Sequence, residues 1–139
     1  GIAFRKAPLH GTDIDLADCP DLGPVLMVLG LFCEGQTVIR NAERLRIKES
    51  DRLATTAALL NRLGSSAEDG PDSLTVRGIP SFSGGTVDGA NDHRIVMAAA
   101  IAATRADAPL TILGAEAVNK SYPSFWDDYK RLGGVFDVL

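Results

Sequence analysis

Two stretches of this chain, residues 22–32 and 95–104, are apolar on nearly every face while long enough for about three helical turns. A helix of that kind has no side to show to water. It has to be enclosed by sheet and by other helices, so the fold must wrap around both stretches. Each is opened by an aspartate: Asp21 after Pro20 for the first, Asp92 within Asn91-Asp92-His93-Arg94 for the second. A lysine follows each at a nearly equal interval, Lys48 and Lys120, and each lysine precedes a helix that ends in Leu-Gly. These landmarks recur with a period of roughly seventy residues and mark an internal duplication.

Around the two helices the pattern alternates. Strands are expected over 12–16 and 36–40, then a charged cluster, then a helix over 53–63 stopped by Gly64. Strands over 66–68 and 73–77 follow, split by the turn signal Asp69-Gly70-Pro71-Asp72. The second copy reads as a strand over 85–89, the apolar helix, a strand over 109–113, a loop over 119–121, a helix over 124–132 stopped by Gly133-Gly134, and a last strand over 135–139. The fold class is therefore α/β (α+β), with two tandem βαβαββ-type units at about 10–78 and 79–139 that form part of one domain. The chain has no initiator Met and opens inside what reads as a strand, so it is expected to be a piece of a longer protein.

Composition narrows the function classes. Hydrophobic content of 45% with 23% charged residues belongs to a globular protein, and a net charge of −4 argues against general nucleic-acid binding. The apolar runs fall short of a bilayer span, and the first six residues do not form a signal peptide. Cys19 and Cys33 have neither metal nor redox spacing, which implies a reducing, cytoplasmic compartment. With no Gly-rich phosphate loop, zinc spacing or nucleophile elbow, a nucleotide-hydrolysing or metal-dependent reading has no support.

The chemistry concentrates in Arg46-Ile47-Lys48-Glu49-Ser50-Asp51-Arg52, three cations and two carboxylates in seven positions. Asp51 or Ser50 can cap the helix that follows, which puts Arg52 in its first turn. The helix dipole disfavours a cation there, whereas a bound anion would favour it. The ordinary alternative is a solvated charge run, with Arg46 and Asp51 pairing inside it. Asn91-Asp92-His93-Arg94 has the same build: a capping Asp92 or Asn91, then Arg94 in the first turn of a buried helix, where its charge needs a partner. Asp21 reads either as a helix cap or as a base for a substrate hydroxyl. Lys120 alone reads as a surface lysine; its equivalence to Lys48 is what singles it out. His93 reads as a hydrogen-bonded structural residue, and Phe125, Trp126 and Tyr129 as packing of the last helix.

Taken together, Pro20-Asp21, Arg46 to Leu53, Asn91 to Met97 and Asn119-Lys120-Ser121-Tyr122-Pro123 resemble, in order and spacing, the C-terminal part of the EPSP synthase family of enolpyruvyl transferases. The resemblance implies a domain of three βαβαββ copies with buried parallel helices, an inside-out barrel, of which this chain would hold the last two. It implies transfer of the enolpyruvyl group of phosphoenolpyruvate to the 5-hydroxyl of shikimate 3-phosphate, without cofactor or metal. Asp21 would be the catalytic base and hold the acceptor, Lys48 would contact the acceptor, and Glu49 would protonate the donor methylene. Arg52, Arg94 and Lys120 would grip the donor's phosphate and carboxylate, with Asp92 orienting its neighbours. Some family members carry an Asn against the acceptor where this chain has Arg44. The site also needs the missing N-terminal domain, so the piece alone is expected to be inactive, and the whole protein to be a monomer. UDP-N-acetylglucosamine enolpyruvyl transferase, and a non-catalytic anion-binding module on the same scaffold, are the alternatives.

Overall fold

The structure is a computed structural model that describes residues 1–3 and 5–139. The first half runs β1 (Asp13–Asp15), a 3₁₀ turn (Pro20–Leu22), α1 (Gly23–Leu31), β2 (Gln36–Arg40), a 3₁₀ turn (Glu43–Ile47), α2 (Arg52–Arg62), β3 (Ala67–Asp69) and β4 (Leu74–Arg77). The second half runs β5 (Gly85–Asp88), α3 (His93–Ala103), β6 (Leu110–Leu113), a 3₁₀ turn (Ala115–Lys120) and α4 (Phe125–Arg131). In both halves a strand, a buried helix and a second strand come in that order, and the two strands pair in parallel: Asp13 opposite Val38, and Gly85 opposite Leu110. β2 then pairs antiparallel with β4, and β4 with β3, giving a four-stranded sheet in the order β1-β2-β4-β3.

α1 occupies the centre, packed on α3, on α2 and on the inner face of β2 and β4. Pro24 sits in its first turn, where a missing N–H costs nothing. Gly30 lets it lie close to the sheet: a Cβ there would stand 2.9 Å from both Thr37 Cβ and Val76 Cγ1. Met27, Val28 and Leu31 are fully buried against Ile39, Leu60, Leu74 and Ile95. Each large aliphatic side chain removed from water in this way contributes about 1.5–3 kcal/mol. α3 meets the core through Ala98, Ala99 and Ala102, small residues that permit close helix approach. α2 is amphipathic: it is capped at its start by the Asp51 carboxylate, which accepts from Ala54 N–H at 3.2 Å, and closed at its end by Gly64 in the left-handed region (φ 96°). A second apolar cluster joins Val96 and Ala100 of α3 to Val118 and Phe125.

Several expectations are revised. α1 and α3 are not enclosed all round. Leu22, Val25 and Leu29 form an exposed strip, Ile101 is exposed, and between the helices runs a shallow groove of about 160 Å³ lined by Pro24, Val25, Met97, Ala98 and Ile101, with Asp21 and Arg94 also on its wall. These side chains recur at helical spacing, so they share one side, and nothing among the described residues packs over it. Residues 119–121 are not an open loop, because Asn119 and Lys120 close a 3₁₀ turn. The last strand is absent. Among the described residues nothing pairs with 135–139: β5 and β6 form a two-stranded sheet, and Val135, Val138 and Leu139 lie in solvent. The second half is therefore βαβα where the first is βαβαββ. At the chain start, residues 1–3 and 5–9 form no strand, and residue 4 lies outside the described residues. Among the described residues, no helix is long and apolar enough to cross a membrane.

Candidate functional site

Arg52 is the hub of the charged cluster. It is the first residue of α2, and its side chain is 2% exposed. Nε donates to Asp92 Oδ2 at 2.8 Å and Nη2 to Asp92 Oδ1 at 3.1 Å, a two-pronged clamp between the starts of α2 and α3. Nη2 also donates to Glu49 Oε2 at 2.6 Å and Nη1 to Asp21 Oδ1 at 3.0 Å. Four of the guanidinium's five N–H groups are thus committed to three carboxylates. The cation at the unfavourable end of its helix is explained: it is neutralised by acids drawn from three separate segments.

Asp92 is fully buried and completely satisfied. Besides Arg52 it accepts from Ser50 Oγ at 2.8 Å and, as cap of α3, from Arg94 N–H at 2.9 Å. Burial pushes its carboxyl up, but the Arg52 and Ser50 hydrogen bonds, the Arg94 amide and the Arg52 charge outweigh that and hold it below the usual carboxylate range. Asp21 sits in the 3₁₀ turn ahead of α1 and does not cap it; no side chain caps either element. Its carboxylate instead turns to three cations: Lys48 Nζ at 3.2 Å, Arg52 Nη1 at 3.0 Å and Arg94 Nη2 at 3.7 Å. Partial burial raises its pKa, whereas the Lys48 hydrogen bond and the charges of Lys48, Arg94 and Arg52 lower it further, to a net value below the ordinary one.

The structure brings Asp21, Lys48, Glu49, Arg52, Asp92 and Arg94 into one network of three cations and three carboxylates. Lys120 stands beside it, not within it. Its Nζ donates to Asn91 O at 2.5 Å and Asn91 Oδ1 at 2.8 Å, one residue before Asp92. Arg94 is the least satisfied arginine of the group: its Nε is buried without a hydrogen-bond partner, and its nearest carboxylate, Asp21, is 3.7 Å away. Arg46 and Asp51 pair at 2.7 Å, as the ordinary reading expects, and Arg46 also binds Asp69 at 2.9 Å and the carbonyl of Pro71, pinning the cluster to the β3–β4 turn. Two roles are not those read from sequence. Ser50, a candidate cap, bonds instead across the duplication to Asp92, and His93, expected to be hydrogen-bonded, is buried with Nδ1 unpartnered, 3.9 Å from Glu49 Oε1. Nothing in the local pattern signals either contact, because each partner lies about forty positions away. Among the described residues there is no cluster of His, Cys, Asp and Glu able to hold a metal.

Comparison with known proteins points to one family. The family model for EPSP synthase (3-phosphoshikimate 1-carboxyvinyltransferase) matches residues 2–129. The chain is 48% identical to the 3-phosphoshikimate 1-carboxyvinyltransferase of Clostridium novyi over 98% of its length and 31% of that protein's. It is 51% identical to that of Clostridium acetobutylicum over 94% of this chain and 30% of the relative. An EPSP synthase structure from Acinetobacter baumannii superposes with a TM-score of 0.86 at 33% identity, covering 92% of this chain and 31% of that one. The enolpyruvyl transferase NikO from Streptomyces tendae, 23% identical with a TM-score of 0.76 over 94% of this chain and 30% of that one, shares the fold. The chain thus spans about a third of the length of the curated relatives it matches.

Proposed function

The chain belongs to the EPSP synthase family, and on that premise we propose that it supplies one side of the active site of a 3-phosphoshikimate 1-carboxyvinyltransferase. The whole protein would move the enolpyruvyl group of phosphoenolpyruvate to the 5-hydroxyl of shikimate 3-phosphate, with release of phosphate, in the cytoplasm and as a monomer. The observation that carries this reading is the meeting of Asp21, Glu49, Lys48, Arg52 and Arg94 from three segments at one mouth. A site that only gripped anions would have no use for two half-exposed carboxylates at its centre.

In this reading Arg94, Lys120 and the remaining Nη1 hydrogen of Arg52 take the donor's phosphate and carboxylate. Two polyanionic substrates side by side need such converging cations to offset their repulsion. The network adds a condition. Asp21 and Glu49 are both hydrogen-bonded to Arg52, so an anion that recruits Arg52 and Arg94 loosens their hold on the acids. Asp21, held below its ordinary pKa by those cations, becomes a stronger base as they turn to the donor. Glu49, freed from Arg52 Nη2, gives the donor methylene a proton as the acceptor oxygen bonds to the adjacent carbon. Loss of a proton from the resulting methyl group together with phosphate then restores the double bond, while Lys48 keeps the acceptor oriented. Asp92 stays locked and holds Arg52 and the start of α3 in place. The two halves, at about 10–78 and 79–139, are repeat units of one domain. The rest of the full-length protein covers the exposed strip of Val25, Leu29 and Ile101 and completes the substrate pocket.

Phosphate release by the full-length protein tests this with each acceptor in turn. Turnover with shikimate 3-phosphate and none with UDP-N-acetylglucosamine is expected, with Asp21→Ala lowering it by about 10²–10⁴-fold and the isolated chain inactive. Full turnover by Asp21→Ala would reduce that residue to a structural charge, and turnover by the isolated chain would refute the need for a second domain.

A further inference from the structure

Lys120 differs from every other cation at this site in how its charge is handled. Lys48, Arg52 and Arg94 each face a carboxylate, and Arg46 faces two. Among the described residues Lys120 has no acidic partner within ion-pair distance; both of its acceptors are neutral oxygens of Asn91, the backbone carbonyl and the side-chain amide. An amide oxygen can fix an ammonium in place without cancelling its charge. Two of the three N–H groups are then occupied, and one is left for an incoming anion.

The anchor is itself fixed. Asn91 and Ala90 both have left-handed backbone, φ 50° and 51°, a conformation that asparagine tolerates far better than most residues. That turn directs the carbonyl and side-chain oxygen of Asn91 at a single ammonium. Immediately downstream, Asp92 is locked by hydrogen bonds from Ser50, Arg52 and the Arg94 amide. A long, exposed lysine stem on the 3₁₀ turn Ala115–Lys120 would otherwise sample many rotamers.

We infer that Asn91 is a positioning residue for the donor-binding cation Lys120, holding its ammonium ready and uncompensated beside the Arg52–Asp92 clamp. This rests on the reading of Lys120 as a donor ligand in the full-length enzyme. Asn91→Gly keeps the left-handed turn and removes the side-chain oxygen. Asn91→Asp keeps shape, turn and acceptor but neutralises the ammonium. A purely structural role predicts that both variants behave as wild type.

Steady-state kinetics of the full-length protein separate these ideas. Asn91→Gly is expected to raise KM for phosphoenolpyruvate by roughly 2–10-fold, the worth of one hydrogen bond, with kcat changed less than twofold. Asn91→Asp is expected to raise it further, by an amount that shrinks with added salt. In a Lys120→Ala background, Asn91→Gly should have no further effect, because it acts through the lysine. Wild-type donor KM in Asn91→Asp, or an undiminished Asn91→Gly effect in the Lys120→Ala background, would overturn the inference. If Lys120→Ala itself left donor KM untouched, the assignment of Lys120 as a ligand would fall, and the inference with it.

Discussion

Substituting Asp92 with Asn in the full-length protein separates the clamp between the two halves from the chemistry, because Asp92 orients its neighbours and has no assigned contact with substrate. The wild-type carboxylate accepts four hydrogen bonds, from Ser50 Oγ, Arg52 Nε, Arg52 Nη2 and the Arg94 amide. The amide keeps one oxygen for Nη2 and the Arg94 N–H, and the Ser50 hydroxyl can rotate to accept. What cannot be rescued is Arg52 Nε, which would face another donor inside a fully buried site. Breaking a buried pair costs about 3–5 kcal/mol. Here Arg52 retains Asp21 and Glu49, so the lower end, about 3 kcal/mol, applies. At about 1.4 kcal/mol per decade, that is a hundredfold or more in local opening. Amide hydrogen exchange measured by mass spectrometry, on peptides spanning the first turns of α2 and α3, reads this quantity directly. Both first turns should exchange roughly a hundredfold faster together, with β3 and β4 unchanged. Acceleration below threefold, or confined to one helix, would refute the idea that the Arg52–Asp92 pair joins the two.

Acid stability should follow the same residues. Asp21 and Asp92 are held below their ordinary pKa, so their ion pairs stabilise the fold fully above the unfolded value of about 3.9 and lose that contribution as pH falls through the lower folded values. The thermal midpoint of wild type should drop below about pH 4, with a flatter profile for Asp92→Asn; parallel profiles would contradict the assignment. Gly30→Ala places a methyl 2.9 Å from Thr37 and Val76 and should destabilise the α1–sheet contact by about 1–3 kcal/mol, seen as a lower urea midpoint. An unchanged midpoint would mean that α1 is not seated tightly on β2 and β4.

Much of the fold was legible because its signals are local. β2 matches the expected span, Gly64 ends α2 as its position predicts, and the turn at Asp69–Asp72 joins β3 to β4. Local patterns failed where the outcome depends on partners. Residues 135–139 alternate well enough for a strand, but a strand needs a neighbour, and the described residues offer them none. The apolar strip of Leu22, Val25 and Leu29 carries the composition of a buried face without a cover inside these residues. At the site, the duplication and the two arginines at helix starts mark segments that the fold brings together. The pairing did not follow from them: Arg52 and Asp92 are forty positions apart, and the packing of α2 and α3 on α1 and on each other brings them together. Sequence presented Arg52 as an open anion trap, whereas the fold spends most of its donors on acids. It presented Asp21 as a possible cap, whereas the carboxylate faces cations.

A crystal structure of the full-length protein with phosphoenolpyruvate and shikimate 3-phosphate bound tests the convergence of these groups most directly. The account predicts the donor's phosphate and carboxylate within hydrogen-bond reach of Arg52, Arg94 and Lys120, with Asp21 and Glu49 on either side of the transferred carbon and Asp92 still clamped to Arg52. A donor bound away from these three cations, or one that leaves Asp21 and Glu49 on Arg52 and remote from the reacting atoms, would contradict it.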